Sequence, residues 1–364
     1  MRDAALDAIV DQVRAARADR VRLAIVGGGS KAFYGEAARG EPLDVTPLSG
    51  ISSYEPTELV VTARCGTRLA ELEATLAEKG QCLAFEPPHF GAGATAGGMV
   101  ATGLAGPARA AVGSVRDHLL GATLLSGHGE LLSFGGQVMK NVAGYDVSRV
   151  LAGSMGVLGV ICEVSLKVLP APRAGATLRF EMDEARALQQ LNIWAGQPLP
   201  LGASAWWRGT LVLRLQGAAA AVSAALARLG GEKVEAAQAE AFWTGLREQT
   251  DEYFMATQTA VATDRHAALW RLSVPQTAAP LALAGDGLIE WGGAQRWLCS
   301  SEPAPRVRQV ATQAGGHATL FRAQDKSAGV FTPLAPPLDR IHRELKRAFD
   351  PDGIFNPGRL YAGL

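Results

Sequence analysis

The stretch RLAIVGGGSK at residues 22–31 decides the fold of the first part of this chain. Residues 22–26 form a short apolar strand that runs directly into Gly27, Gly28, Gly29, Ser30 and Lys31. Consecutive glycines after a strand expose backbone N–H groups that can surround a phosphate. The pattern therefore predicts an anion-binding loop, with an ordinary tight turn as the alternative.

Three kinds of phosphate loop can begin this way. A P-loop needs a hydroxyl residue after its lysine, whereas here Ser30 precedes Lys31. A Rossmann fingerprint is nominally matched by Gly27, Gly29 and Ala32, but it needs a long helix directly afterwards. Gly35, Gly40 and Pro42 would interrupt such a helix. We therefore expect a strand–loop–strand phosphate cradle whose second strand runs from Leu43 to Thr46.

Three more segments rich in small residues follow: GATAGGMVATG at 93–103, KNVAGYD at 140–146 and GSMGVLGVI at 153–161. The longer stretch 91–106 has too many glycines for a regular element, which indicates backbone lying against a bulky group. A surface loop is the alternative for the first segment. Lys140 could balance the charge of a diphosphate, and Asp146 could instead cap a short helix that extends to Leu151.

The chain divides at Pro170 and Pro172, which follow its clearest strand, residues 157–169. From residue 175 to about 331, five strand-like segments alternate with helical ones and predict an α+β domain. A last helix over 338–349 precedes the tail. The predicted domains are 1–172, 173–331 and a C-terminal segment 332–364 that packs back on the first.

Composition excludes several classes of protein. Lys plus Arg and Asp plus Glu both number 35, so the chain lacks the basic excess that nucleic-acid binding requires. Cysteines 65, 82, 162 and 299 form no C-x-x-C pair, so we expect no iron–sulfur or zinc site. The N-terminus does not resemble a signal peptide, and no stretch is apolar enough to span a membrane. We expect a soluble, cytoplasmic protein.

Taken in order, these segments resemble the vanillyl-alcohol-oxidase-type (PCMH) FAD-binding family, and within it the glycolate oxidase FAD-binding subunits, or E subunits. The matching stretches are VGGGSK at 26–31, FEPP at 85–88, TAGG at 95–98, VMKNVAGYD at 138–146 and FNPGR at 355–359. The resemblance covers the first 170 residues and this tail. It is thin between residues 175 and 330.

The resemblance implies a two-part FAD-binding domain, a cap domain and a tail that returns to the first domain. FAD is expected to be held non-covalently, because no His or Cys lies beside Ser30 and Lys31. The implied cofactor-binding residues are Gly27, Gly28, Gly29, Ser30, Lys31, Pro88, Gly93, Thr95, Gly97, Gly98, Ala101, Gly103, Lys140, Asn141, Gly153, Ser154, Gly156, Gly159, Val160, Ile161, Asn356 and Arg359.

Catalytic residues are not assigned by the sequence. Its six histidines (89, 118, 128, 266, 317 and 342) are isolated, so we expect no metal site. The resemblance implies an accessory subunit of a glycolate dehydrogenase-type complex, with a larger flavoprotein subunit and an iron–sulfur subunit as partners. One alternative is a self-sufficient 2-hydroxy-acid dehydrogenase that uses Tyr253 or His317, with His266 as a further candidate. A flavin-free scaffold is the second alternative.

Overall fold

The computed structural model describes residues 3–136 and 146–364, which divide into two compact units. The first unit falls within Met1–Leu104, Ser114–Ala171 and Pro333–Leu364. The second comprises Ala105–Gly113 and Pro172–Thr332. The sequence assigns residues 105–113 to the first domain, whereas contacts such as the hydrogen bond from Trp291 Nε1 to the Gly106 carbonyl (3.0 Å) join them to the second unit.

The first unit is built on a five-stranded antiparallel sheet. Its strands lie in the order Ile51–Glu55, Val60–Arg64, Val160–Lys167, Leu119–Leu125 and Leu131–Gly135. A parallel pair joins Leu23–Val26 to Glu41–Asp44, and an antiparallel pair joins Gln81–Cys82 to Leu169–Pro170. The helices are Ala4–Asp19, Leu69–Ala77, Ala96–Thr102, Val115–His118 and Leu338–Phe349, with 3-10 turns at Pro56–Glu58 and Ser148–Leu151.

Helix Ala4–Asp19 closes the core beneath the glycine loop. Asp3 caps the helix by accepting from the backbone N–H of Leu6 at 3.4 Å. Apolar residues at helical spacing then face one cluster. The cluster contains Ile9, Val10, Val13 and Ala16 of the helix with Leu23, Leu43, Cys65, Leu125, Val160 and Phe355.

The second unit is an eight-stranded sheet whose paired strands are all antiparallel. The strand order is Glu232–Val234, Ala174–Glu181, Thr210–Gly217, Leu201–Trp207, Asp286–Glu290, Gln295–Ser300, Ala268–Ser273 and His317–Ala323. Its helices are Arg109–Val112, Glu184–Ala195, Ala219–Leu229, Ala236–Glu248, Glu252–Thr263 and Ala304–Gln313, and Trp291–Gly293 is a 3-10 turn. The α+β fold class predicted from the sequence is confirmed.

Three local predictions differ from the structure. The glycine-rich stretch 91–106 contains the helix Ala96–Thr102, which is possible because Thr95 caps it and Gly97 lets it pack closely against Cys65. The apolar stretch CLAF at 82–85 also predicts a strand, but the structure has only the short strand Gln81–Cys82. Asp146 is not the cap residue of Ser148–Leu151, although its Oδ1 accepts from the Ser148 hydroxyl at 2.8 Å. Within the described ranges, no helix is both long and apolar enough to cross a bilayer.

Candidate functional site

The glycine loop connects two parallel strands. Gly27 directly follows Leu23–Val26, and the chain returns as Glu41–Asp44 beside it. Residues 30–36 form turns rather than a helix, so the loop is the strand–loop–strand type. Gly29 has φ +72°, and a Cβ placed there would meet no atom within 4 Å. The loop therefore presents backbone to an open space at this point.

A second loop, which contains Gly93, contacts the backbone of the first loop at Gly28. A Cβ on Gly28 would lie 1.3 Å from the carbonyl oxygen of Gly93, and a Cβ on Gly93 would lie 2.4 Å from that of Gly28. Arg68 fixes the contact, since its Nη1 donates to the Gly93 carbonyl at 2.7 Å. Glycine is required at both positions because no side chain fits between the two loops.

The small-residue helix Ala96–Thr102 lies against the same loop. The buried Thr95 hydroxyl accepts from the N–H of Gly98 at 3.2 Å. A Cβ on Gly27 would come within 3.0 Å of this hydroxyl, and a Cβ on Gly97 within 2.6 Å of the Cys65 Cβ. Small residues here allow the helix to pack directly beside the glycine loop.

The C-terminal tail forms another wall. Asn356 accepts from the Ile25 N–H through Oδ1 at 2.8 Å and donates to the Met155 carbonyl through Nδ2 at 2.7 Å. Arg359 Nη2 donates to the carbonyls of Ala32 and Tyr34 at 2.8 and 2.7 Å. The tail therefore fixes both the end of the first strand and the turn that follows the glycine loop.

A buried ion pair anchors this tail. Lys346 Nζ donates to Asp350 Oδ2 at 2.6 Å and to the carbonyls of Val157 and Phe355 at 2.7 and 2.9 Å. Asp350, with 1% of its surface exposed, accepts from the N–H groups of Ile354 and Phe355 at 3.0 and 2.8 Å. The pair thus sets the path of the chain just before Asn356.

These segments enclose a cavity of about 380 Å³, which lies within the ordinary range for a small-molecule site. Its charged lining residues are Lys31 and Arg359, and no carboxylate lines it among the described residues. Lys31 is buried, and its Nζ donates to the His89 carbonyl at 3.1 Å. A cationic cavity with exposed loop backbone suits a diphosphate.

Cys65 also lines the cavity, although the sequence gives no sign of it. Burial raises the pKa of this thiol well above its usual range, and the nearby Cys162 raises it further. The thiol is therefore un-ionised at neutral pH, and a thiol in that form is a poor nucleophile. Its Sγ lies 3.8 Å from the Val45 carbonyl.

The structure brings together most of the sequence-predicted site residues. Lining the cavity are Gly27, Gly28, Gly29, Ser30, Lys31, Thr95, Gly97, Gly98, Ala101, Gly156, Gly159, Ile161, Asn356 and Arg359. Pro88, Gly93, Gly103, Gly153, Ser154 and Val160 do not line it; Gly93 supports Gly28, and Gly153 and Ser154 line a separate cavity of about 160 Å³. Lys140 and Asn141 lie outside the described residues.

The residues considered for catalysis lie elsewhere. Tyr253 is 1% exposed, and its hydroxyl donates to the Asp286 carbonyl at 3.2 Å, within an aromatic cluster. His317 and His266 both belong to the second unit, and His317 begins a strand beside Arg271. Across residues 3–136 and 146–364, no three His, Cys, Asp or Glu side chains are grouped so that they could hold a metal ion.

Comparison with known proteins decides the family. A family model described as an FAD binding domain matches residues 4–135. Glycolate oxidase subunit GlcE of Escherichia coli (strain K12) is 48% identical over 357 residues, which cover 98% of this chain and 97% of that protein. The chain belongs to the GlcE family.

More distant relatives match a smaller share of this GlcE family member. A D-lactate dehydrogenase of Anaerostipes hadrus is 35% identical over 139 residues, covering 38% of this chain and 29% of the relative. Glycolate oxidase subunit GlcD of Bacillus subtilis (strain 168) is 28% identical over 155 residues, covering 42% of this chain and 33% of the relative. The chain is therefore related to oxidoreductases over about two fifths of its length.

A solved structure supports the fold of the whole chain. Alkyldihydroxyacetonephosphate synthase has a TM-score of 0.67 with this GlcE family member, over 96% of this chain and 74% of that one. At 15% identity the likeness shows the fold alone.

The cavity fits FAD. The diphosphate of FAD needs open backbone and no nearby negative charge. The cavity offers open backbone at Gly29, close packing of the loops at Gly28 and Gly93, and no lining carboxylate among the described residues. The glycine loop, Lys31, Thr95, Asn356 and Arg359 would hold the cofactor. When bound, FAD supplies reversible two-electron redox chemistry, and the protein contributes binding and tuning.

Proposed function

We propose that this chain is the FAD-carrying subunit of a multi-subunit complex that oxidises a 2-hydroxy acid, glycolate to glyoxylate, with its flavin held non-covalently. The similarity to GlcE over 98% of the chain is the observation that carries the proposal. Its partners would be a larger flavoprotein subunit, related to the relatives named GlcD, and an iron–sulfur subunit. The complex would place the chain in the cytoplasm, at the inner face of the membrane through its partners.

Non-covalent attachment is supported by the chemistry of the cavity. No histidine lines it among the described residues, and burial keeps the Cys65 thiol un-ionised. We expect acid precipitation of the purified chain to leave all of its flavin in the supernatant. A Cys65→Ser variant should carry as much flavin as the wild type. Flavin that stays with the precipitated wild-type chain but not with the variant would show a covalent bond.

The division of labour between subunits is tested by adding glycolate to the purified chain without oxygen. We expect oxidised flavin bands near ~370 and ~450 nm that persist in the chain alone and bleach only after the larger flavoprotein subunit is added. Prompt bleaching of the chain alone would make it a self-sufficient dehydrogenase. A colourless chain that takes up no added FAD would instead be a scaffold, and the proposal would fail.

A further inference from the structure

The second unit gathers two guanidinium groups around one indole ring. The Cζ atom of Arg109 lies 4.4 Å from the centre of the Trp291 ring, and that of Arg271 lies 5.3 Å from it. Trp291 is 3% exposed, and its Nε1 donates to the Gly106 carbonyl at 3.0 Å. Because the indole is fixed, it holds two positive charges in one small region.

Buried side chains fix the position of Arg271. Its Nε donates to Gln295 Oε1 at 2.7 Å, and Gln295 Nε2 donates to Glu290 Oε2 at 2.9 Å. Trp297 Nε1 donates to the same Glu290 oxygen at 2.6 Å. Glu290 determines which way the Gln295 amide faces, and Gln295 occupies the Nε edge of the guanidinium. Among the described residues, no hydrogen-bond partner occupies the two Nη groups of Arg271, so a ligand can approach them end-on.

The charge of Arg271 is only partly balanced. In the part of the chain that the structure describes, no carboxylate lies within 4.0 Å of its side-chain nitrogens, and Glu290 reaches it through Gln295. Burial raises the pKa of Glu290 to about 7, so this carboxyl is partly neutral at physiological pH. Loss of solvent around the imidazole, and then the nearby positive charge of Arg271, lower the pKa of His317.

Arg208 in the same unit is a useful contrast. It also stacks on an indole, with its Cζ 4.6 Å from the centre of the Trp207 ring. Its Nη2, however, donates to Asp286 Oδ2 at 2.9 Å. Stacking on tryptophan therefore does not prevent an arginine here from pairing with a carboxylate, and Arg271 differs in having none at that distance among the described residues.

The sheet register places three polar side chains and one indole on the face that carries Arg271. Thr319 lies opposite Arg271 on one neighbouring strand, and Trp297 lies opposite it on the other. His317 and Gln295 lie two positions earlier on those strands, and alternate residues of a strand share a face. Residues directly opposite each other in an antiparallel sheet share a face. A hydroxyl, an imidazole and the arginine fork are therefore on the same face of the sheet.

We propose that Arg271 binds the carboxylate of a small 2-hydroxy acid on the second unit, with His317 and Thr319 as the neighbours of its hydroxyl group. The choice of acid rests on the proposed function, whereas the anion site rests on the geometry around Arg271. Two Nη groups side by side match the two oxygens of a carboxylate. Glu290 and Gln295 are positioning residues, because they act through Arg271.

The test is a titration of the purified flavin-loaded chain with glycolate, without oxygen, followed by calorimetry and tryptophan fluorescence. We expect saturable binding to the wild type and at least ~10-fold weaker binding to Arg271→Gln, since a hydrogen-bonded charge partner is lost. Arg208→Gln is the matched control and should bind as the wild type does. Acetate, which lacks the hydroxyl group, should bind several-fold more weakly than glycolate.

Several results would overturn the proposal: no saturable binding to the wild type, equal affinity for Arg271→Gln, or equal affinity for chloride and glycolate. If Arg271→Gln does not fold, Arg271→Lys replaces the planar guanidinium by a single charge and should still weaken binding.

Failure of the anion site can be distinguished from failure of the proposed function. If glycolate binds through Arg271 but the flavin in the complex is never reduced, the anion site is supported and the proposed oxidation is contradicted. If the complex reduces its flavin and Arg271→Gln leaves KM unchanged, the proposed oxidation is supported and the anion site is contradicted.

Discussion

The two units build their candidate sites from different parts of the chain. In the first, the cavity is shaped mainly by backbone and by residues too small to interfere, such as Gly28 and Gly93. In the second, the positive cluster depends on long side chains from separate strands, in which Glu290 and Gln295 hold Arg271. Adding a side chain where two backbone segments touch should disrupt ligand binding in the first unit. In the second unit, removing one side chain of the hydrogen-bonded group should do so.

The largest expected effect tests how far a buried side-chain pair supports the first site, whose cavity is otherwise shaped mainly by backbone. Lys346→Met leaves Asp350 buried and without its charged partner, so we expect the free energy of unfolding to fall by about 3–5 kcal/mol in urea titrations. Arg340→Met on the same helix is the control. It breaks the exposed Arg340–Glu344 pair at 3.7 Å, and its cost should stay below about 0.5 kcal/mol.

The Lys346 variant should also release flavin, because Asn356 follows the same stretch of chain. A Lys346→Met protein as stable as the Arg340→Met control would show that the buried pair does not determine the path of the tail.

The second-largest expected effect tests whether glycine is required at position 28. Gly28→Ala places a Cβ 1.3 Å from the Gly93 carbonyl oxygen, so the two loops must separate. We expect FAD affinity to fall by at least ~100-fold, or about 2.7 kcal/mol, measured by equilibrium binding of FAD to the apoprotein. Gly175→Ala in the second unit is the control, because its Cβ would meet its nearest atom at 3.5 Å and should leave FAD binding unchanged. Full flavin content in Gly28→Ala would contradict the close contact of the loops.

The smallest effect concerns the second unit and depends on pH. The pKa of Glu290 rises from 4.5 to about 7 on burial, so the folded chain binds a proton that the unfolded chain has lost between these values. The free energy of unfolding should therefore decrease as pH rises through this window, by about 2 kcal/mol more in the wild type than in Glu290→Gln. Glutamine keeps an acceptor for Trp297 and Gln295 but does not titrate.

Urea unfolding of both proteins at pH 4.5, 6 and 7.5 measures this difference directly. Asp251, whose pKa burial raises to about 6, titrates in both proteins and largely cancels in the comparison. Parallel stability curves for wild type and Glu290→Gln would show that Glu290 is not protonated in the folded state.

Some residues that line or support the cavity could not be found by reading the sequence. Arg68 fixes the contact between the two glycine loops, yet it stands in no motif and is separated from Gly93 by 25 positions. Cys65 reaches the cavity because Gly97 allows close packing against it. In the second unit, neither strand Gln295–Ser300 nor strand His317–Ala323 is predicted, and these two strands flank Arg271.

The sequence by itself determined the α+β class, the FAD-binding family and the order of the glycine segments. These features are local: a run of glycines after a strand requires open backbone wherever the strand lies. Only the tertiary structure decided that residues 105–113 join the second unit, that Lys346 and Asp350 anchor the tail, and that Arg109 and Arg271 meet at Trp291. Such contacts depend on strand pairing and side-chain packing between distant segments, and no short stretch of sequence specifies them.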